Sequence, residues 1–234
     1  LVAGAGMAGL VTAVESAQRG ADVLVLEKGP RPGGTMSISA GLIWTYGSYE
    51  DAREEVPEGD PMLHRLIVEG IQDGFDWLAD LGVELSGLPF TFPSGEEFGV
   101  SLYDDRQAKQ MDPESFTETL VGAIEDQDGE ILTETPFTDL VLEGGRVVGV
   151  TARDGAGSHL EIRAESVVLA TGGFQGNEEL LQRYVTADTD DLWLRSNPWS
   201  TGDAFLAATA AGAGTQGDLS AFSGPHLLAP PASF

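Results

Sequence analysis

Apolar positions along the chain follow two rhythms, and the changes between them mark its elements. Leu1, Val2 and Ala3 form a short apolar run, and from about Ala8 to Arg19 small and apolar residues recur at helical spacing until Gly20. Ala21 to Leu26 is a second apolar run, ending on Glu27. Short apolar runs bounded by glycine are the pattern of buried strands, so the opening predicts strand, turn, helix, strand. Residues 45 to 60 read as loop with an acidic helical turn. Asp60 and Pro61 then suit an N-cap and a first helical position. Leu63, Leu66, Ile67, Ile71, Trp77, Leu78 and Leu81 approximate a helical stripe, closed by Gly82. His64 and Trp77 on this helix are expected to pack or face solvent. Val83 to Asp112 shows little periodicity and reads either as a long loop over a site or as a connector.

Pro113 to Glu125 is predicted helical, with Phe116, Leu120 and Ile124 buried and Val121 beside them, before a stop at Asp128-Gly129. The rhythm then shortens. Ile131-Leu132, Thr138 to Leu142, Arg146 to Ala152 and His159 to Arg163 are β-favouring runs, with reversals at Glu143-Gly144-Gly145 and Asp154 to Gly157. The last three runs predict an antiparallel meander, with His159 and the Arg/Glu pairs on its solvent face. Ser166 to Ala170 reads as a fully buried parallel strand, and Asn177 as the cap of a helix from Glu178 to Tyr184. Thr201-Gly202-Asp203 opens a helix of small residues from Ala204 to Ala211, and Ser220 to Phe234 is apolar and proline-rich. The fold class is α/β, Rossmann-like, with a parallel sheet and a three-stranded antiparallel meander.

The chemistry concentrates at the first turn. Gly4-Ala5-Gly6-Met7-Ala8-Gly9 lies between the first strand and the first helix, and Glu27 follows Gly9 by eighteen residues. In that context Gly4 permits the tight turn, Gly6 removes a side chain that would block a pyrophosphate, and Gly9 lets helix and strand approach. The helix N-terminus offers N–H groups and the positive end of its dipole to phosphates, and Glu27 stands where a ribose hydroxyl needs an acceptor. The pattern predicts dinucleotide binding. A nicotinamide dehydrogenase would pass from the acid into a helix. This chain instead continues through Lys28-Gly29-Pro30-Arg31-Pro32-Gly33-Gly34-Thr35-Met36-Ser37 to Ser39-Ala40-Gly41. Such a stretch lets backbone N–H groups approach a large flat ligand.

Composition narrows the classes. The 234 residues are 41% hydrophobic and 21% charged, enough for a buried core, and no window approaches eighteen uninterrupted apolar residues. The chain opens inside a strand without an initiator Met, so its N-terminus is expected to be missing. It has no cysteine, and His64, His159 and His226 lie far apart, so neither thiolate chemistry nor a metal site is expected. With 38 acids against 12 bases, a net charge of −26 and only two lysines, nucleic acid and anionic membranes are poor partners. That acidic surface suggests a protein adapted to concentrated salt, the alternative being a merely acidic cytosolic protein.

Taken together, Val2 to Gly9, Leu26-Glu27-Lys28, Gly33-Gly34-Thr35-Met36, Ser39-Ala40-Gly41, Ala170-Thr171-Gly172-Gly173-Phe174 and Thr201-Gly202-Asp203 resemble one family. It is the FAD-dependent oxidoreductase family of fumarate reductase and succinate dehydrogenase flavoproteins and 3-ketosteroid dehydrogenases. The resemblance implies a Rossmann-like FAD-binding domain at 1–215, with a helical and loop insertion at about 45–128, and the start of a substrate-capping domain at 216–234. It places Gly4, Gly6, Met7, Ala8 and Gly9 on the pyrophosphate, Glu27 on the adenosine ribose and Lys28 on the adenine side. Gly33, Gly34, Thr35, Met36 and Gly41 would run along the pyrophosphate, ribityl and flavin edge. Phe137 would meet adenine through its backbone, and Ala170, Thr171 and Gly172 would close over the dinucleotide. Asp203 would sit near the ribityl region, or else serve as a plain helix cap.

The chain departs from the family where Leu42 and Ala204 replace glycines. Residues 28 to 49 contain no histidine, so non-covalent FAD is implied. The chain also stops where the capping domain begins, leaving the family's catalytic arginine beyond it. His226, in Ser223-Gly224-Pro225-His226, falls where fumarate reductases carry a histidine that contacts a substrate carboxylate. The implied activity is hydride transfer between flavin N5 and a C=C or CH–CH group beside a carbonyl or carboxylate. A small-molecule substrate, an unnamed electron donor or acceptor and a cytoplasmic location complete the expectation. A nicotinamide-dependent dehydrogenase and a non-catalytic flavin-binding fragment remain the alternatives.

Overall fold

A computed structural model describes residues 1–87, 106–190, 192–194 and 196–220. The chain divides into two compact units, one formed by Leu1–Ile38 with the chain from Leu120 on, the other by Ser39–Thr119.

In the first unit, β1 (Val2–Ala3) and β2 (Leu24–Leu26) are joined by α1 (Met7–Gln18). The two strands are parallel, with Val2 opposite Val25 and Ala3 opposite Leu26. This is the strand–helix–strand unit that the opening pattern predicts. Leu10, Ala13, Val14 and Ala17 are the buried positions of α1 after Gly9, a spacing of three and four that turns one face inward. The sheet is completed by β5 (Glu130–Leu132) beside β2 and β9 (Val168–Leu169) beside β1, giving the order β5-β2-β1-β9. One of the two inner strands, β1, is thus the one that feeds the glycine turn.

The expected fully buried strand at Ser166 to Ala170 needs correcting. Only Val168 and Leu169 pair, and Val168 is 38% exposed. The parallel direction is as expected, but β9 is an outer strand of the described sheet, so one side lacks a neighbour.

The meander forms as predicted from β6 (Phe137–Glu143), β7 (Arg146–Arg153) and β8 (His159–Arg163), paired antiparallel in that order. His159 is exposed at its end, and Arg163 pairs with Glu143 at 2.6 Å and Glu161 at 2.9 Å on the solvent side. These contacts raise the Arg163 pKa, through its hydrogen bond to Glu143 first. In the β7–β8 turn, Asp154 Oδ1 accepts the N–H groups of Ser158 at 2.7 Å and Ala156 at 2.9 Å. Hydrogen bonding from Ser158 is the main reason its carboxyl is held below the usual range. Phe137, Val150 and Ala152 of the meander bury with Ala3 and Leu26 of the sheet and with Ala207 of α6 (Asp203–Ala210). That cluster fixes the meander and α6 beside the carboxyl ends of β1 and β2. Asn177 caps α5 (Glu178–Tyr184) as expected, its side chain accepting the Leu180 N–H.

The second unit holds a two-stranded antiparallel sheet of β3 (Leu42–Tyr46) and β4 (Arg106–Gln110), with α2 (Tyr49–Glu55) and α3 (Pro61–Asp80). Neither β3 nor β4 was expected, and α2 is a formed helix rather than one turn in a loop. Arg106 to Gln110 has no apolar alternation, so its strand comes from backbone pairing with Leu42–Tyr46 and leaves no pattern to read. Ser48 caps α2, and Asp60 caps α3 with Pro61 in its first turn, as predicted for the latter. The stripe on α3 is different. Its buried residues are Val68, Phe75 and Leu78, with His64 and Ile71 half-buried, while Leu63, Leu66 and Ile67 are exposed. The sequence 64, 68, 71, 75, 78 holds the helical period throughout, whereas the expected set drifts across two faces. The boundary between the units falls within α4 (Pro113–Glu125), whose Phe116, Leu120 and Ile124 are fully buried as predicted. Among the described residues, no helix is long and apolar enough to cross a membrane and no His, Cys, Asp and Glu cluster could hold a metal.

Candidate functional site

A cavity of about 280 Å³ opens in the first unit at the carboxyl ends of β1 and β2. In an open parallel sheet this is the side on which ligands bind. Gly4, Gly6, Met7 and Ala8 line it from the first turn, Leu26, Glu27 and Lys28 from the end of β2, and Gly34, Thr35 and Met36 from the following loop. Phe137 at the start of β6, Ala170 to Gly172 after β9, and Asn197, Trp199, Ser200 and Asp203 complete the wall.

The three glycines of the turn divide into two kinds. Gly4 has φ +103°, and a Cβ there would lie 2.4 Å from the Ala170 carbonyl oxygen. A Cβ on Gly9 would lie 1.8 Å from the Gly4 carbonyl oxygen. Both are demanded by the chain itself. At Gly6 the nearest atom to an added Cβ is the Gly34 Cα, at 3.9 Å. Packing therefore does not require glycine at position 6, and the space its missing side chain leaves belongs to the cavity. Gly34 faces it with φ +53°, where a Cβ would come within 3.0 Å of the Gly6 Cα. Two bare backbones form a cradle that side chains would fill.

Gly6 is also the N-cap of α1, and Leu10 N–H to the Gly6 carbonyl at 2.9 Å is the helix's opening bond. The N–H groups ahead of it have no acceptor within the helix, and its first turn carries no acid. The positive end of the dipole is thus turned on the cavity with no anionic side chain to offset it.

Glu27 is buried at the end of β2. Its Oε2 accepts the Ala5 N–H at 2.8 Å and its Oε1 the Gly29 N–H at 2.6 Å. A carboxylate offers about four acceptor positions, so capacity remains for a diol. Lys28 Nζ donates to Thr201 Oγ1 at 2.5 Å and to Asp203 Oδ2 at 2.8 Å, and Thr201 Oγ1 donates to Asp203 Oδ1 at 2.8 Å. This closed triangle ties the end of β2 to the first turn of α6. Gly202, not Asp203, is the N-cap of α6, so the plain-cap role expected as one option for Asp203 does not hold. Thr171 Oγ1 accepts the Ala204 N–H at 3.2 Å and serves that helix start from the β9 side.

Most of the sequence-expected positions meet in this one cavity. Gly9, Gly33 and Gly41 do not line it. Gly9 serves packing, and Gly33 donates its N–H to the Ala5 carbonyl at 2.8 Å, holding the loop against the turn. Gly41 belongs to the second unit, where φ is +71° and a Cβ would lie 1.9 Å from the Met111 carbonyl oxygen. His226 lies outside the described residues. The lining residues the sequence did not reveal are Leu26, Asn197, Trp199 and Ser200. The last three immediately precede Thr201-Gly202-Asp203, and that adjacency was the available signal.

The arrangement can hold a dinucleotide: N–H donors and bare glycines for a pyrophosphate, and a buried carboxylate for a ribose. Comparison with known proteins agrees. Residues 1–230 match the family described as FAD binding domain. The chain is 29% identical over 235 residues to the NADH:fumarate oxidoreductase of Klebsiella pneumoniae, covering 92% of this chain and 24% of that protein. Among solved structures, it is similar to the open conformation of a flavocytochrome c3 fumarate reductase, with TM-score 0.75, 27% identity, and coverage of 91% of this chain and 40% of that one. It is also similar to the 3-ketosteroid-Δ4-(5α)-dehydrogenase of Rhodococcus jostii in complex with 4-androstene-3,17-dione, with TM-score 0.72, 25% identity, and coverage of 91% and 53%. The chain therefore spans about a quarter to a half of the length of the proteins it resembles.

Proposed function

The chain belongs to the FAD binding domain family, with FAD as cofactor, and from that premise we propose that it is the flavin-holding part of an oxidoreductase acting on CH–CH groups. The observation that carries this reading is the cradle of Gly6 and Gly34 under the start of α1, with Glu27 beside it in the same cavity.

FAD, when bound, supplies hydride transfer at the flavin ring. The chain's own residues do the holding. N–H groups of Met7 and Ala8 meet the pyrophosphate at the dipole's positive end, and Gly6 and Gly34 give it room. Glu27 accepts from the adenosine ribose with the lone pairs that Ala5 and Gly29 leave free. The Lys28–Thr201–Asp203 triangle fixes the end of β2 to the start of α6 and keeps two charged groups mutually compensated. Non-covalent attachment is part of this reading, as the resemblance implies for a chain without histidine in residues 28 to 49.

The substrate class that fits is a small molecule with a C=C bond, or the corresponding CH–CH, beside a carbonyl or carboxylate. The names of the similar proteins, a fumarate oxidoreductase and a ketosteroid dehydrogenase, support it. Residues 216–234 would begin a capping domain, with His226 meeting a substrate carboxylate. Adaptation to concentrated salt is supported by the strongly acidic composition, and a cytoplasmic location completes the reading. The test is anaerobic turnover by the full-length protein. Reduced viologen should be oxidised on adding fumarate, acrylate or urocanate, or a dye reduced on adding a 3-ketosteroid. Failure of both substrate groups with a flavin-loaded protein would remove the CH–CH assignment.

A further inference from the structure

One wall of the cavity has no counterpart in the glycine turn, the acid or the paired triangle. It is the short segment before Thr201, whose Trp199 joins Phe137 among the lining residues. The indole rests against the bare backbone of Gly29: a Cβ at position 29 would lie 3.1 Å from Trp199 Cδ1 and 3.2 Å from its Nε1. That Cβ would also lie 3.1 Å from Glu27 Oε1, so the ring and the carboxylate both border this glycine. Gly29 has an ordinary φ, so its lack of a side chain serves this approach rather than a turn. The contact holds one edge of the indole, and Trp199 remains 44% exposed.

The order of ligand groups fixes what lies beside that ring. A pyrophosphate at the start of α1 and a ribose on Glu27 place the base beyond Glu27, on the side of Gly29. There the chain offers a large flat apolar surface, held in place and open to the cavity. We infer that Trp199 is the platform on which the adenine ring of FAD stacks, so that it adds to the preference for an adenine dinucleotide over a flavin mononucleotide. This rests on the FAD reading above. Stacking of a base on an aromatic side chain is sequence-tolerant and strong enough to matter, and removing the ring is expected to weaken binding about tenfold or more.

The test measures binding of FAD, ADP and FMN to the apo form of the full-length protein, as wild type, Trp199→Ala and Trp199→Phe. Trp199→Ala should lose about tenfold or more in affinity for FAD and for ADP, with FMN affinity unchanged, and Trp199→Phe should retain most of it. ADP should also quench a component of the tryptophan emission that is absent in Trp199→Phe, a readout that survives if the alanine variant does not fold. Equal loss for FAD and FMN, unchanged ADP affinity, or identical quenching in wild type and Trp199→Phe would overturn the assignment. A wild-type protein that binds neither FAD nor ADP would bring down the cofactor reading as well, so the two failures are distinct.

Discussion

Glycine at positions 4, 6 and 9 looks uniform in sequence, yet the surroundings assign different work to each. Gly4 and Gly9 lie tight against carbonyl oxygens, so Gly4→Ala and Gly9→Ala should lower stability by about 2 kcal/mol or more, Gly4 additionally through its positive φ. Gly6→Ala meets only an ordinary contact and should leave the melting temperature nearly unchanged while FAD binding falls at least tenfold. Thermal unfolding of the apo forms alongside FAD titration separates the two effects. A Gly6→Ala protein that melted like Gly4→Ala would show that packing, not the ligand, demands that glycine. Glu27 was legible because an acid at the end of a second strand has a chemical reason to be there. Its two backbone bonds were not, because nothing in the sequence says that Ala5 and Gly29 would turn their N–H groups on it. Trp199 stayed hidden for a related reason: its partner Gly29 is 170 residues away, and only the fold brings them together.

Among the elements, those with a strict period or a cap were legible and those made by pairing alone were not. The α4 boundaries and the meander follow from caps, glycine turns and alternation. β4 does not, since its polar residues form a strand only opposite β3. On α3 the apolar content is spread around the helix, and the buried face is set by what packs against it. Phe75→Ala should therefore cost about 3–5 kcal/mol of the unfolding free energy, while Leu66→Ala, 67% exposed, should cost under about 0.5 kcal/mol. Urea unfolding of both variants checks this, and comparable losses would favour the expected stripe instead. At the β7–β8 turn, the folded pKa of Asp154 is depressed by the Ser158 hydrogen bond. Its stabilising effect is then present above the ordinary carboxylate pKa and is lost as pH falls through the folded value. The stability gap between wild type and Asp154→Asn should hold steady above about pH 5 and shrink below it. A gap that grew on acidification would reverse the assignment.

At the level of the whole molecule, a net charge of −26 makes self-repulsion a cost that salt screens. The melting temperature should rise steeply between about 0.1 M and about 2 M potassium chloride, with FAD present throughout, and a flat profile would leave the protein merely acidic. The fold class was legible as a whole because the opening strand–turn–helix–strand unit and the late Ala170-Thr171-Gly172 are separated by a recognisable meander. The insertion expected at about 45–128 overlaps the second unit at 39–119, but its sheet was not legible, since β3 and β4 come from segments that read as loop. The most direct measurement is the absorption spectrum of the full-length protein purified in molar salt, taken before and after acid precipitation. Flavin bands in the native protein that pass entirely into the supernatant, with chromatography identifying FAD, are the expected result. A folded protein without those bands that takes up no added FAD would contradict the cradle at Gly6 and Gly34, and flavin retained in the pellet would contradict non-covalent binding.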